Sequence, residues 1–219
     1  MPSSSRTRPR LPWIAAAALV LVGSGAATQS PVQVVQPQAS SDHPCTECCT
    51  SVLVGPSASA DGSTMTSHSC DSNTDRTWIS IEPRREHAPG SMATLWLEPK
   101  LTLGPDDEDR IPSGEIPQVD RTWKFMNAAY PIMNEHQLAI GETTTGGKRA
   151  LRSRAGIIDA PELYRILLER ATTAREAIRI ADELTREFGY NDWGECFTFA
   201  DPEEVWFFEI LGPGQGEVG

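Results

Sequence analysis

The spacing of apolar positions changes several times along the chain, and each change marks an element. Residues 13–22 form an unbroken apolar run. Residues 50–54 are β-branched and apolar, the composition of a buried strand. Residues 55–62 (GPSASADG) are turn chemistry, and 63–67 read as a returning strand, which predicts a hairpin. Further strands are predicted over 77–81, 94–97 and 137–142, with the acidic, polar stretch 104–114 as a surface loop. The period then becomes helical. Asp159-Ala-Pro-Glu162 offers an N-cap acid, an early proline and a glutamate at the third helical position, so a helix opens there and runs to about residue 170. Thr173-Ala-Arg-Glu176 repeats the capping signal. Ala177, Ile178, Ala181, Leu184 and Phe188 follow at helical spacing, and Gly189 is a C-cap residue. Residues 196–200 and 205–210 read as a hairpin around Asp201-Pro202. Strands, two helices and strands again predict an α+β layered domain.

Charge narrows the partners. Against 19 Lys+Arg stand 30 Asp+Glu, a formal net charge of −11 over 219 residues. Such a balance argues against nucleic acid, which needs a basic face to release counterions, and against an anionic membrane surface. The hydrophobic fraction of 39% is too high for wholesale disorder, and 17 Gly with 17 Pro make the chain rich in loops.

The first residues predict export. Arg6, Arg8 and Arg10 precede the apolar run, and the small residues 23–27 follow it. A basic head, a short apolar stretch and a small-residue exit are the pattern of a signal peptide cut near Ala26 or Ala27. The run is short for a bilayer span, which needs roughly 20 residues. A short uncleaved anchor is the alternative. Expected boundaries are therefore a signal peptide at 1–27, a linker or propeptide at 28–48, and a folded domain from 49 to 219. No stable membrane insertion is expected once the signal is removed, and the sequence leaves homo-oligomerisation open.

The five cysteines are Cys45, Cys48, Cys49, Cys70 and Cys196. Cys45 and Cys48 form a C-x-x-C, a pattern of redox pairs and of half metal sites. A zinc site wants a second well-spaced pair, and none exists, so no metal is expected. Cys49 immediately precedes the first predicted strand, and a cut just before it would give one residue both a thiol and a free α-amine. Their reference pKa values are about 8.5 and about 8, so proton exchange between them is nearly isoenergetic. That chemistry needs no cofactor. The plain alternative makes Cys49 a half-cystine.

Four segments carry a resemblance: CTSVLVGPSASADGSTMTSHSCDS from Cys49, GEIPQVDRTWKFMNAAYPIMNEHQLAIGETT from Gly114, LLERATTAREAIRIADELTREFGY from Leu167, and GECFTFADPEEVWFFEILG from Gly194. In this order and spacing the chain resembles the dipeptidase A-type cysteine peptidases of the N-terminal-nucleophile hydrolase superfamily, relatives of the secernins and of the bile-salt hydrolases and penicillin acylases. The resemblance implies an αββα sandwich and hydrolysis of dipeptide substrates. It maps Cys49 onto the nucleophile and Asp71 onto the carboxylate that orients nucleophile or substrate. His68 stands where many relatives carry Arg. Asn134, Glu142 and Thr143 map onto a loop and strand lining the site, Asn134 and Thr143 as oxyanion donors or wall residues and Glu142, with His68 and Thr143, on the substrate side. Each has a simpler reading: Asp71 as a turn cap, Asn134 as the cap of a turn entering the next strand, Thr143 as part of a polar loop. Members of that family are longer chains, so this one is expected to be a fragment with its sandwich incomplete. The same fold also supports an amidase or acylase, and the cysteines alone fit a non-catalytic, disulfide-stabilised module.

Overall fold

The computed structural model describes residues 49–70, 78–97 and 111–213. The first hairpin pairs β1 (Cys49–Val54) with β2 (Met65–Cys70) in antiparallel register, Cys49 opposite Cys70 and Ser51 opposite His68. The returning strand thus begins two residues later than expected and runs on to Cys70. After it come β3 (Ser80–Glu82), β4 (Arg85–Glu86), β5 (Met92–Leu97) and β6 (Ile111–Pro117). The last of these corrects the predicted surface loop, whose final residues form a strand paired with β5. Ser113 and Gly114 look polar, yet Ser113 Oγ donates to the Ile157 carbonyl, and a Cβ on Gly114 would sit 2.7 Å from Ile157 Cδ1. Small polar residues serve here because the strand passes close beneath Ile157.

Next are β7 (Arg121–Thr122), β8 (Phe125–Asn127), β9 (Met133–Asn134) and β10 (Ala139–Gly146). Helices α1 (Ala160–Arg170) and α2 (Ala174–Phe188) follow, then β11 (Gly194–Ala200) and β12 (Val205–Ile210). Six strands make one antiparallel sheet in the order β12-β11-β10-β9-β8-β3.

Both helices start where the capping residues place them. Asp159 Oδ1 accepts from Glu162 N at 3.0 Å, and Pro161 occupies the first turn. Thr173 Oγ1 accepts from Glu176 N, while the Glu176 carboxylate reaches back to Thr172 N. Gly189, at φ 76°, ends α2. The face of α2 toward the core carries Ala174, Ala177 and Ala181, so the helix lies close against its neighbours. Asp201, in the turn between β11 and β12, accepts from Ala174 N with Oδ2 and from Glu203 N and Glu204 N with Oδ1, tying turn to helix.

The two faces of β11 show the layering. Phe197 and Phe199 are fully buried, and Tyr164 of α1 stacks on Phe197 with ring centroids 4.6 Å apart. Thr198 faces the other way, its Oγ1 2.6 Å from Thr66 Oγ1 of β2. The helices therefore cover one face of the six-stranded sheet, and the β1–β2 hairpin packs on β10 and β11. An α+β architecture is observed, with helix, sheet and hairpin in sequence.

Candidate active site

Gly141 sets the distance between hairpin and sheet. A Cβ there would fall 2.6 Å from Thr198 Oγ1, 3.1 Å from Thr66 Oγ1 and 3.3 Å from His68 Nδ1. With no side chain at 141, β2 settles directly onto β10. Ser51, on the same face of β1 as Cys49, completes the join: its Oγ donates to the Glu142 carbonyl at 2.6 Å and contacts Thr143 Oγ1. The hairpin is thus fastened to β10 two residues from Cys49.

That fastening brings Cys49 to Glu142. The Sγ atoms of Cys49 and Cys70 and a carboxylate oxygen of Glu142 all lie within 4.8 Å of one another. Cys49 is a half-buried free thiol. Glu142 is completely buried, and among the described residues neither of its carboxylate oxygens has a hydrogen-bond partner of good geometry. Beside it on β11, Glu195 is buried as well, with Oε2 likewise unpartnered. Two acids in one dry region cannot both ionise cheaply. Burial, then the neighbouring Glu142, pushes the Glu195 carboxyl up to about 9. Burial raises Glu142 too, and Asp192 behind the pair. The Cys49 thiol is pushed up to about 12, chiefly by burial and then by the negative charge of Glu142. With its peptide bond to Cys48 intact, Cys49 is therefore held as a thiol, the less nucleophilic form.

His68 stands on the same face of β2 as Cys70, edge-on to Tyr130 with ring centroids 6.1 Å apart. Burial lowers its pKa, which keeps the imidazole neutral. Thr143 is at the site, but its hydroxyl is bonded to Ser51, so it pins β1. The stretch read as a polar loop from 143 is the end of β10, which runs to Gly146.

Asn134 is a different case. Its Nδ2 donates to the carbonyls of Leu168 and Ala171, and its Oδ1 accepts from His136 N and Leu138 N. Every hydrogen-bonding capacity of the amide is spent on the end of α1 and on the turn into β10. These bonds are those of the simpler reading, a turn cap, and leave no free N–H on the amide to donate to an oxyanion. Asp71 lies outside the described residues.

Sequence reasoning missed Glu195, Ser51 and the partnership of Cys49 with Cys70. All three depend on cross-strand register, which places residues together without any fixed spacing in the chain. A separate cavity of about 240 Å³, lined by Trp78, Trp96, Arg165 and others, contains none of these groups; Arg165 there is bonded to Glu162 and Glu169.

A thiol at a strand end, set against buried acids on the adjoining sheet, is an arrangement suited to thiol hydrolases. The family model of Peptidase family C69 matches residues 48–218, and the chain belongs to that family. It is 28% identical over 185 residues to a dipeptidase of Bifidobacterium longum (strain NCC 2705), covering 75% of this chain and 33% of that protein. It is also 28% identical over 171 residues to a probable dipeptidase B of Lactococcus lactis subsp. lactis (strain IL1403), covering 75% of this chain and 35% of that protein. The chain spans about a third of the length of these curated relatives.

Proposed function

We propose that this chain carries the nucleophile of an exported cysteine dipeptidase that matures by cutting itself before Cys49. The observation that carries the reading is the Cys49 thiol lying beside the buried Glu142 carboxyl, which among the described residues has no hydrogen-bond partner of good geometry, inside the segment matched by the peptidase family.

The electrostatics give maturation a purpose. In the uncut chain, burial and Glu142 both oppose thiolate formation. In the first step Cys49 Sγ attacks the carbonyl of Cys48. The C–N bond breaks, the thiol proton passes to the departing nitrogen, and water hydrolyses the resulting thioester. Cys49 then holds an α-amine next to its own thiol. As an ammonium, this group offers Glu142 the partner it lacks and favours the thiolate. As an amine, it takes the thiol proton when Sγ attacks a dipeptide carbonyl and delivers it to the leaving amine. Water then releases the second product from the thioester. The acids Glu142, Glu195 and Asp192 also suit the free ammonium that distinguishes a dipeptide from an N-acylated amide. We include His68 and Thr143 as wall residues of this site, with Thr143 acting through its hold on β1, and Asp71 as the orienting carboxylate.

Intact mass and N-terminal sequencing of the secreted protein test the reading. The expected mature terminus is Cys49, and Cys49→Ala should leave the precursor uncut and lower dipeptide turnover at least about 1,000-fold. A fully active protein that still carries residues before Cys49 would overturn it. Comparison of free dipeptides with their N-acetyl forms checks the ammonium, and N-acyl preference would move the assignment to an acylase.

A further inference from the structure

We infer that Cys49, Cys70 and Glu142 form a binding site for zinc, and that zinc held there switches the nucleophile off. The inhibitory consequence rests on Cys49 being the nucleophile; the site itself does not. The sequence hides it, because no metal-binding spacing links residues 49, 70 and 142. The pairing of Cys49 with Cys70 across the hairpin and the contact of the hairpin with β10 bring the three together.

The geometry fits a tetrahedral ion. Zn–S bonds of about 2.3 Å and Zn–O bonds of about 2.0–2.2 Å place tetrahedral ligand atoms about 3.4–3.8 Å apart. The two sulfurs and the carboxylate oxygen lie within 4.8 Å of one another, so small side-chain rotations close the set. A second observation points to a cation independently of this spacing. Glu142 is entirely buried, and among the described residues neither carboxylate oxygen has a hydrogen-bond partner of good geometry, an unfavourable state for a buried polar group. Two sulfurs and one oxygen select a thiophilic ion over magnesium or calcium, which prefer all-oxygen sites. Cys70 is exposed, so the ion has a path from solvent. Binding replaces the two thiol protons, which leave to solvent, and directs a lone pair of each sulfur to the metal. Three protein ligands leave the fourth position for water. In the cut form the α-amine of Cys49 can take it, closing a five-membered ring with its own thiolate.

Calorimetric titration of the reduced full chain with zinc chloride tests the site. One equivalent is expected to bind to the wild type, and magnesium chloride should give no signal. Loss of a ligand costs no less than loss of its outer-shell support, so Cys70→Ser and Glu142→Gln should each weaken zinc binding by at least about tenfold. A Cys45→Ser/Cys48→Ser variant should bind as the wild type does. Absence of one-equivalent binding, wild-type affinity in both Cys70→Ser and Glu142→Gln, or binding lost only with Cys45 and Cys48 would each overturn the inference. Zinc should inhibit the wild type, a chelator should restore it, and whatever hydrolysis Cys70→Ser retains should resist zinc. Hydrolysis without zinc binding sinks the metal site and leaves the peptidase reading standing. Zinc binding that depends on Cys70 and Glu142, with no hydrolysis under any condition, does the reverse.

Discussion

Asn134 illustrates how a buried amide is read by its partners. Removing it strands two carbonyls at the end of α1 and two amide hydrogens in the turn before β10. Each unsatisfied buried group costs about 1–3 kcal/mol. Asn134→Ala should therefore destabilise the fold by at least about 4 kcal/mol in urea titration, while turnover per folded molecule stays close to wild type. A fall in kcat without loss of stability would restore the oxyanion role. Glu135, the next residue, acts through charge. Arg84 grips its carboxylate with two bonds of 2.9 and 2.7 Å, Lys124 N adds a third at 2.8 Å, and its pKa is held down at about 2. A carboxyl depressed in the fold stabilises it above the ordinary carboxylate range, and that contribution is lost as pH falls from about 4.5 toward 2. Glu135→Gln should thus be modestly less stable than wild type at pH 7, the gap closing by about pH 2. The pair is exposed on the Arg84 side, so the effect is small. An unchanged gap across that range would remove Glu135 from the acid response.

At the scale of elements, the hairpin and β10 depend on one missing side chain. Gly141→Val would place methyl groups where Thr198, Thr66 and His68 already sit. Overpacking of this kind costs about 1–3 kcal/mol. It should also lift the hairpin from the sheet, so that Cys49 withdraws from Glu142 and self-cutting slows before the protein unfolds. Precursor accumulation at 25 °C, set beside the thermal melting temperature, checks the order of these losses. Much of this level was legible beforehand. Asp159, Thr173 and Gly189 announce both helices because capping is local chemistry written within four residues. The strand over residues 50–54, which begins one residue earlier in the fold, and the hairpin closing the sheet were equally plain. The short strands β4, β7, β8 and β9 were not, since two or three residues carry no period to detect.

At the scale of the molecule, the acidic composition argued only against nucleic acid and anionic membranes, and the cysteine before the first strand pointed toward a hydrolase without showing what Cys49 would face. Its neighbours come from β2, β10 and β11, and only pairing register brings them near. Glu195 is hidden for the same reason: in the sequence it is one more glutamate, and in the fold it is half of a buried acid pair. Asn134 is the opposite case: a polar residue in a matched segment looks chemical, and its partners here are all backbone.

The Ser51 hydroxyl bound to the Glu142 carbonyl has a mechanical consequence. A chain end normally frays, and a thiol carried on one would sample many positions. Here the strand is moored two residues in, so a terminus at Cys49 swings on a leash of only about 7 Å. Under the proposed maturation such an end would be a fixed fitting of the wall: a substrate would have to travel to the sulfur, and the sulfur would wait.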